Sequence, residues 1–474
     1  MDVKLTTAQI DRACGVLVAT AAGDALGAPY EFHPARGPEK AVAMVGGGAF
    51  GWKPGEWTDD TSMALAIAEV AATGADLREE SAQDAIVERW YDWSRTATDV
   101  GNQTRSVLDS VGAQGGRAAS ALAISRSLHE RSRHTGGNGA LMRTAPVALA
   151  YLGEDDEDAL VTAAREISAL THFDPDAQDA CVLWCCAIRH AVRTGGLDVR
   201  VGMRHLDQHR RDVWAKRLGD AESSRPADIP NNGWVVAALQ AAWSAIKMTD
   251  TGEGLPAGHL ARGLDAAVRA GDDTDTVAAI AGGLLGARYG ASAVPAEWRR
   301  LLNGWPGLRT RGLVALVNRI IKADRDFPRP GNPAIAVQHP YDDDVWLGNA
   351  AALRHLPDGV DAIVSMCRVH DDDLPTGVEQ IDVRLVDREG AEANPNLDFV
   401  LADTADLIDH LRREGRTVLV HCHGAYSRTP TMGAWYGARV CRTSAEEALA
   451  AVLAVLPGAN PNPAFRAALN RLAP

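Results

Sequence analysis

Two short acidic segments and one cysteine loop hold the residues best able to do chemistry in this chain. The acidic segments are Trp57-Thr58-Asp59-Asp60-Thr61 and Gly271-Asp272-Asp273-Thr274-Asp275-Thr276. Singly, each reads as a helix start, because Thr and Asp cap helices and acids suit the positive end of the helix dipole. Together they concentrate five acidic residues in two short stretches interleaved with threonines. At Asp273 and Asp275 the i, i+2 spacing lets two carboxylates converge from a tight turn. Hard divalent cations favour such oxygens, and magnesium takes few protein ligands plus water. No Cys/His set competes, which disfavours zinc. Two carboxylate clusters on opposed helix ends would hold one ion, or a pair sharing a bridging carboxylate.

The cysteine loop is His421-Cys422-His423-Gly424-Ala425-Tyr426-Ser427-Arg428-Thr429-Pro430, preceded by the strand-like residues 417–420 and followed by a helical pattern. Strand, loop and helix in that order can turn backbone amides inward as an anion nest. Those amides and Arg428 would make Cys422 a thiolate nucleophile. Arg428 would grip phosphate oxygens in a fork, and Thr429 would assist the leaving thiolate.

The elements that must position these groups fall into two textures. Up to about residue 320 the chain reads as successive alanine-rich helices, for example 13–22, 61–72, 159–170, 179–192, 234–246 and 276–287, with apolar residues every three or four positions. Residues 323–340 carry four prolines and read as a linker. Beyond it, β-branched runs at 345–348, 362–366, 383–386 and 417–421 alternate with helical stretches at 397–413 and 445–456, as in an α/β domain with a largely parallel sheet. The expectation is a multidomain chain: an all-α domain over 1–322, a linker over 323–340 and an α/β domain over 341–474. A chain of 474 residues is too long for one ordinary core, which agrees.

A net charge of −14 argues against nonspecific binding to nucleic acid or anionic membrane. Cys181, Cys185 and Cys186 lie in an apolar helical run and read as reduced core residues. The start of the sequence lacks a signal-peptide pattern and no apolar run is long enough to span a bilayer, so a cytoplasmic location is expected.

Ordered motifs in the first part resemble the ADP-ribosylglycohydrolase family. They are residues 23–31 (GDALGAPYE), Thr58-Asp59-Asp60-Thr61, residues 99–104 (DVGNQT), residues 136–143 (GGNGALMR) with Ala145-Pro146, Thr171-His172 and Gly271-Asp272-Asp273-Thr274-Asp275-Thr276. The resemblance covers about residues 12–320. It implies an all-α fold with two Mg²⁺ or Mn²⁺ ions, and Thr58, Asp59, Asp60, Asp273, Asp275 and Thr276 as metal ligands. It also implies Glu31 beside the site as base or substrate contact, Asp60 taking part in catalysis, and Asn138, Gly139, Met142, Arg143 and His172 in or near the ADP-ribose cradle. Cleavage at the anomeric carbon would pass through an oxocarbenium-like state, with a metal fixing the ribose and acidifying a water.

The cysteine loop resembles the signature of dual-specificity and tyrosine phosphatases, His-Cys-x5-Arg-Ser/Thr. Trp346-Leu347-Gly348-Asn349, Leu356-Pro357 and residues 364–367 (VSMC) resemble the front of such a domain. Asp387 is the positional candidate for the general acid that protonates the leaving oxygen. One departure stands out: the common pattern has glycine three residues after the cysteine, where this chain has Ala425, with Gly424 before it. If that position needs positive φ, alanine is strained there.

The function expected is hydrolysis of ADP-ribosyl conjugates, protein-borne or small, joined to cysteine-dependent hydrolysis of a phosphorylated substrate. The alternative is a signalling protein that binds ADP-ribose or phosphate, with one domain catalytically impaired. A magnesium-dependent nucleotide hydrolase fits the carboxylates but not the context of Glu31 and residues 138–143.

Overall fold

The computed structural model describes residues 4–112, 116–132, 134–323, 327–456 and 458–472. They divide into two compact units: one within 4–254, 258–294 and 301–323, the other within 255–257, 295–300 and 327–472.

The first unit is helical. Its only strands among the described residues are β1 (Asn303–Gly304) and β2 (Leu308–Arg309), a short antiparallel pair. At its centre lies the helix Thr7–Gly27, opened by a capping box in which Thr6 and Gln9 satisfy each other's backbone. From Ala13 onward every residue of this helix is buried, as a helix apolar on all sides must be. It packs against the helix Thr274–Tyr289 with backbones touching. A Cβ at Gly23 would lie 2.1 Å from the Ala278 carbonyl oxygen, and one at Gly282 would lie 2.1 Å from that of Ala19. At the far end, a Cβ on Gly27 would lie 2.4 Å from Cα of Asp275, and Thr274 Oγ1 donates to the Gly27 carbonyl at 2.9 Å. Glycine therefore sets how near Asp24 and Asp275 come. Cys181, Cys185 and Cys186 are free and buried in the helix Pro175–Thr194, and burial pushes the Cys181 and Cys186 thiols up to about 11 and about 12.

The second unit is α/β. Its five-stranded sheet has the order β3-β4-β7-β5-β6. The strands are β3 (Ala336–His339), β4 (Asp342–Asn349), β5 (Val360–Ser365), β6 (Glu379–Asp382) and β7 (Thr417–Cys422). β3 is an antiparallel edge strand, and the other pairings are parallel. Val418 and Val420 pack into one hydrophobic cluster and Leu419 into another, so the central strand is buried on both faces, as parallel strands are. Register places Cys422 opposite Asn349 and His421 opposite Ser365, so three strands end together at the cysteine.

Two sequence expectations differ from these elements. The stretch read as linker contains β3, whose residues pair with 342–348 in spite of the prolines before them. The run 383–386 is not a strand: the ladder stops at Asp382. Val383 N still reaches the Ser365 carbonyl, but both backbone groups of Val386 are taken by the side chain of Asn394. No described helix is long and apolar enough to cross a membrane.

Candidate active sites

Thr58 stands at the N-cap of the helix Asp59–Ala71, yet its side chain caps nothing in that helix. Its hydroxyl lies 3.2 Å from Asp60 Oδ2 and 3.5 Å from Asp275 Oδ2. Asp24, from the central helix, caps instead. Its carboxylate accepts Thr58 N at 2.9 Å, Thr61 N at 3.0 Å and Thr61 Oγ1 at 2.6 Å. Asp273, N-cap of the helix Thr274–Tyr289, likewise leaves its own helix uncapped. It accepts from Asn138 Nδ2 at 2.7 Å, and its N–H donates to Asn232 Oδ1 at 3.1 Å. The acidic segments thus begin helices, but their side chains turn toward one another.

The result is a cage of buried acids. Ligand atoms of Asp24, Asp60 and Asp275 lie within 4.8 Å of one another, as do those of Glu31, Asp99 and Asp275. Asp59 lies beside Asp99, and Thr276 beside Asp60 and Asp273. Burial first, then neighbouring negative charge, holds these carboxyls up. Glu31 is pushed to about 9, Asp99 and Asp24 to about 6, and Asp59, Asp60 and Asp275 well above the usual range. In Asp24 the lowering contacts from Thr58 and Thr61 offset part of the burial effect.

Glu31 Oε2 and Asp60 Oδ1 are buried and accept no hydrogen bond. A structural acid network satisfies its lone pairs, because leaving one bare costs about 1–3 kcal/mol. Bare carboxylate oxygens beside others raised by mutual repulsion fit a hard divalent cation, and the donor set is wholly oxygen.

The loop at 136–143 splits into two roles. Asn138 spends its amide protons on Asp273 and on the Asn232 carbonyl at 3.0 Å, so it aims an acid. Gly139 permits close approach: a Cβ there would meet His172 Cε1 at 3.0 Å. Met142, Arg143 and His172 are buried, Arg143 completely. Arg143 lies 3.9 Å from the Trp90 ring centroid and donates to Thr171 Oγ1 at 2.6 Å. Thr171 Oγ1 in turn meets His172 Nδ1 at 2.8 Å. Burial lowers Arg143 to about 9, and burial with the arginine's charge lowers His172 to about 3, leaving the imidazole neutral. Arg143, Thr171 and His172 are thus linked in one buried chain of contacts.

In the second unit Cys422 ends β7 and is buried. Beneath it His421 Nε2 pairs with Ser365 Oγ at 2.7 Å, and burial lowers this histidine to about 4, so it is neutral. Ala425 adopts φ +55°, the left-handed region, while Gly424 does not, so the strain anticipated for alanine is present. Arg428 opens the next helix and anchors one nitrogen on the Met366 and Leu385 carbonyls, both at 3.1 Å. Its Nε is buried without a hydrogen bond, 3.9 Å from Asp387 Oδ2, which leaves a charged donor for an anion. Asp387 lies at the surface, its other oxygen accepting from Asn462 Nδ2 at 2.9 Å. The buried Thr429 hydroxyl donates to the Gly348 carbonyl at 3.1 Å, tying the helix to β4.

Three residues of the first cage were not singled out as site residues from sequence. Asp24 and Asp99 each lay inside a recognised motif. Asn232 had none, since Asn231-Asn232-Gly233 reads as a turn.

The chain thus joins a helical unit with an acid cage at its helix starts to an α/β unit with a cysteine loop at its strand ends. Residues 5–327 match the ADP-ribosylglycohydrolase family model, and the chain belongs to that family. It is 32% identical over 303 residues to ADP-ribosylarginine hydrolase Tri1 of Pseudomonas putida (strain GB-1), across 61% of this chain and 73% of that protein. A solved ADP-ribosylglycohydrolase-related protein complex aligns with a TM-score of 0.52 and 29% identity, over 67% of this chain and 99% of that one. Human protein phosphatase Slingshot homolog 3 is 32% identical over 154 residues, which are 32% of this chain and 21% of that protein.

Proposed function

We propose that the first unit hydrolyses the bond between ADP-ribose and the guanidine of arginine, using two divalent ions, Mg²⁺ or Mn²⁺. The bare, buried oxygens of Glu31 and Asp60 carry this reading. Thr58, Asp59, Asp60, Asp273, Asp275 and Thr276 would hold the metal, joined by Asp24. Bound there, such ions would fix the ribose hydroxyls, draw the carboxylates into their charged form and acidify a water. Glu31 takes the proton of the water that attacks the anomeric carbon. The carbon–nitrogen bond breaks, its electron pair passes to the guanidine, and that nitrogen is then protonated. The arginine linkage is the one named for the Pseudomonas putida relative.

The second unit, in this reading, cleaves a phosphate ester. Cys422 attacks phosphorus as the ester P–O bond breaks, Arg428 holds the phosphate oxygens, Asp387 protonates the departing oxygen, and water then splits the phosphocysteine to free phosphate and the thiol. One observation favours the alternative, a phosphate-binding unit with weak turnover: the Thr429 hydroxyl donates its proton to the Gly348 carbonyl.

The test is release of ADP-ribose from arginine-, serine- and acetyl-linked conjugates, with magnesium or manganese and then with excess chelator. Release from the arginine conjugate that chelator abolishes supports the reading, and release only from another linkage replaces arginine. For the second unit, aryl phosphate turnover lost in Cys422→Ser supports catalysis. Phosphate binding without turnover favours the alternative.

A further inference from the structure

Phe32 directly follows Glu31, and two features of it are unfavourable for folding. Its φ is +62°, a region a β-carbon disfavours, and its ring is 64% exposed. The conformation is nonetheless held firmly. Phe32 N donates to the Asp272 carbonyl at 2.7 Å, and Asp272 N donates to that of His33 at 2.8 Å. This two-bond link ties Phe32 to the residue before Asp273. Phe50, 37% exposed, stands edge-on to Phe32 with centroids 6.2 Å apart, and Trp52 follows at 5.9 Å from Phe50. Gly47 and Trp52 exchange hydrogen bonds of 2.7 and 2.9 Å, which closes their turn. Gly48 packs the turn onto Ala28, since a Cβ there would lie 2.6 Å from the Ala28 carbonyl oxygen.

Backbone strain and an exposed apolar ring, fixed beside an acid cage, gain nothing for the core and are explained by a ligand. The ledge is aromatic and directly follows Glu31 in the chain, and an aromatic face attracts a planar cation such as a guanidinium. We propose that Phe32, with Phe50 and Trp52, seats the guanidinium side of the substrate, the arginine that leaves, and so sets the linkage this enzyme prefers. The inference rests on the reading of the first unit as an ADP-ribosylarginine hydrolase. Phe32 is a specificity-determining residue here and takes no part in proton transfer.

The experiment compares Phe32→Asn, which tolerates positive φ, and Phe50→Ala with wild type on ADP-ribosylarginine and on an acetyl-linked ADP-ribose. Calorimetric binding of free ADP-ribose runs in parallel. For the arginine conjugate KM should rise roughly 3- to 30-fold with kcat nearly unchanged, the size of an exposed to partly desolvated cation–π contact. Binding of ADP-ribose and KM for the acetyl conjugate should stay within about twofold, and Phe32→Tyr should restore the arginine KM. Equal loss for all three ligands would assign the ledge to the nucleotide and overturn the proposal. An unchanged arginine KM in both variants would overturn it too, leaving the hydrolase reading intact. A wild-type enzyme inert toward the arginine conjugate removes both.

Discussion

Asn138, expected from the resemblance in the ADP-ribose cradle, holds a carboxylate in the fold. Its amide holds Asp273 at 2.7 Å and leaves the other acids of the cage free to face a cation. Groups that orient a metal ligand typically govern affinity by about 10- to 100-fold. Asn138→Ala should therefore weaken Mn²⁺ binding by about that factor, read by calorimetry, with the fold intact by circular dichroism. Unchanged affinity would show that Asp273 needs no such support. Ala425 illustrates a near balance. Its left-handed φ costs about 1–2 kcal/mol relative to glycine. Glycine would give back about 0.4–1 kcal/mol through the unfolded chain and about 0.8 kcal/mol through the lost buried methyl group. Ala425→Gly should thus shift stability by less than about 1 kcal/mol in denaturant titration. A larger change in either direction would mean that one of these terms dominates.

At the scale of elements, the cage depends on how closely two helices approach. Helix Thr7–Gly27 brings Asp24 to the starts of the other two because glycines let its backbone touch helix Thr274–Tyr289. Each helix start is then served by a group from elsewhere, as Asp24 serves residues 58–61, and this frees Thr58 and Asp273 to face inward. Gly282→Ala sets a methyl group against the Ala19 carbonyl, which cannot rotate aside as a side chain would. Overpacking of this kind costs about 1–3 kcal/mol. The variant should unfold at lower denaturant and bind Mn²⁺ more weakly, since spreading the helices moves Asp24 away from Asp275. Loss of stability with metal affinity retained would mean that the strain relaxes away from the cage.

For the whole molecule, the acid cage makes stability and function pull apart. Metal-free, the first unit carries buried carboxyls held up by burial and mutual repulsion. A bound ion at 100 times its dissociation constant should stabilise it by about 2.7 kcal/mol. Scanning calorimetry with Mn²⁺ and then chelator should show that shift in wild type and lose it in Asp60→Asn. The metal-free variant, in which an amide replaces a carboxyl that burial and neighbouring acids disfavour, should melt no lower than metal-free wild type. If it melted well below, Asp60 would be holding the fold together apart from any ion.

Much of this was legible in the chain. The helical and α/β textures, the two acidic helix starts and the cysteine loop between strand and helix follow from local periodicity and residue type, which act over a few neighbouring positions. The strand at 383–386 failed because Asn394, eight residues away, took the backbone groups of Val386. The roles of Arg143, His172 and Thr429 were equally out of reach, since burial under Trp90 or against Gly348 depends on packing between distant segments. Local sequence determined which groups of each helix and strand were available for chemistry. Only the tertiary structure decided which of those groups face one another, and which were spent on holding the fold.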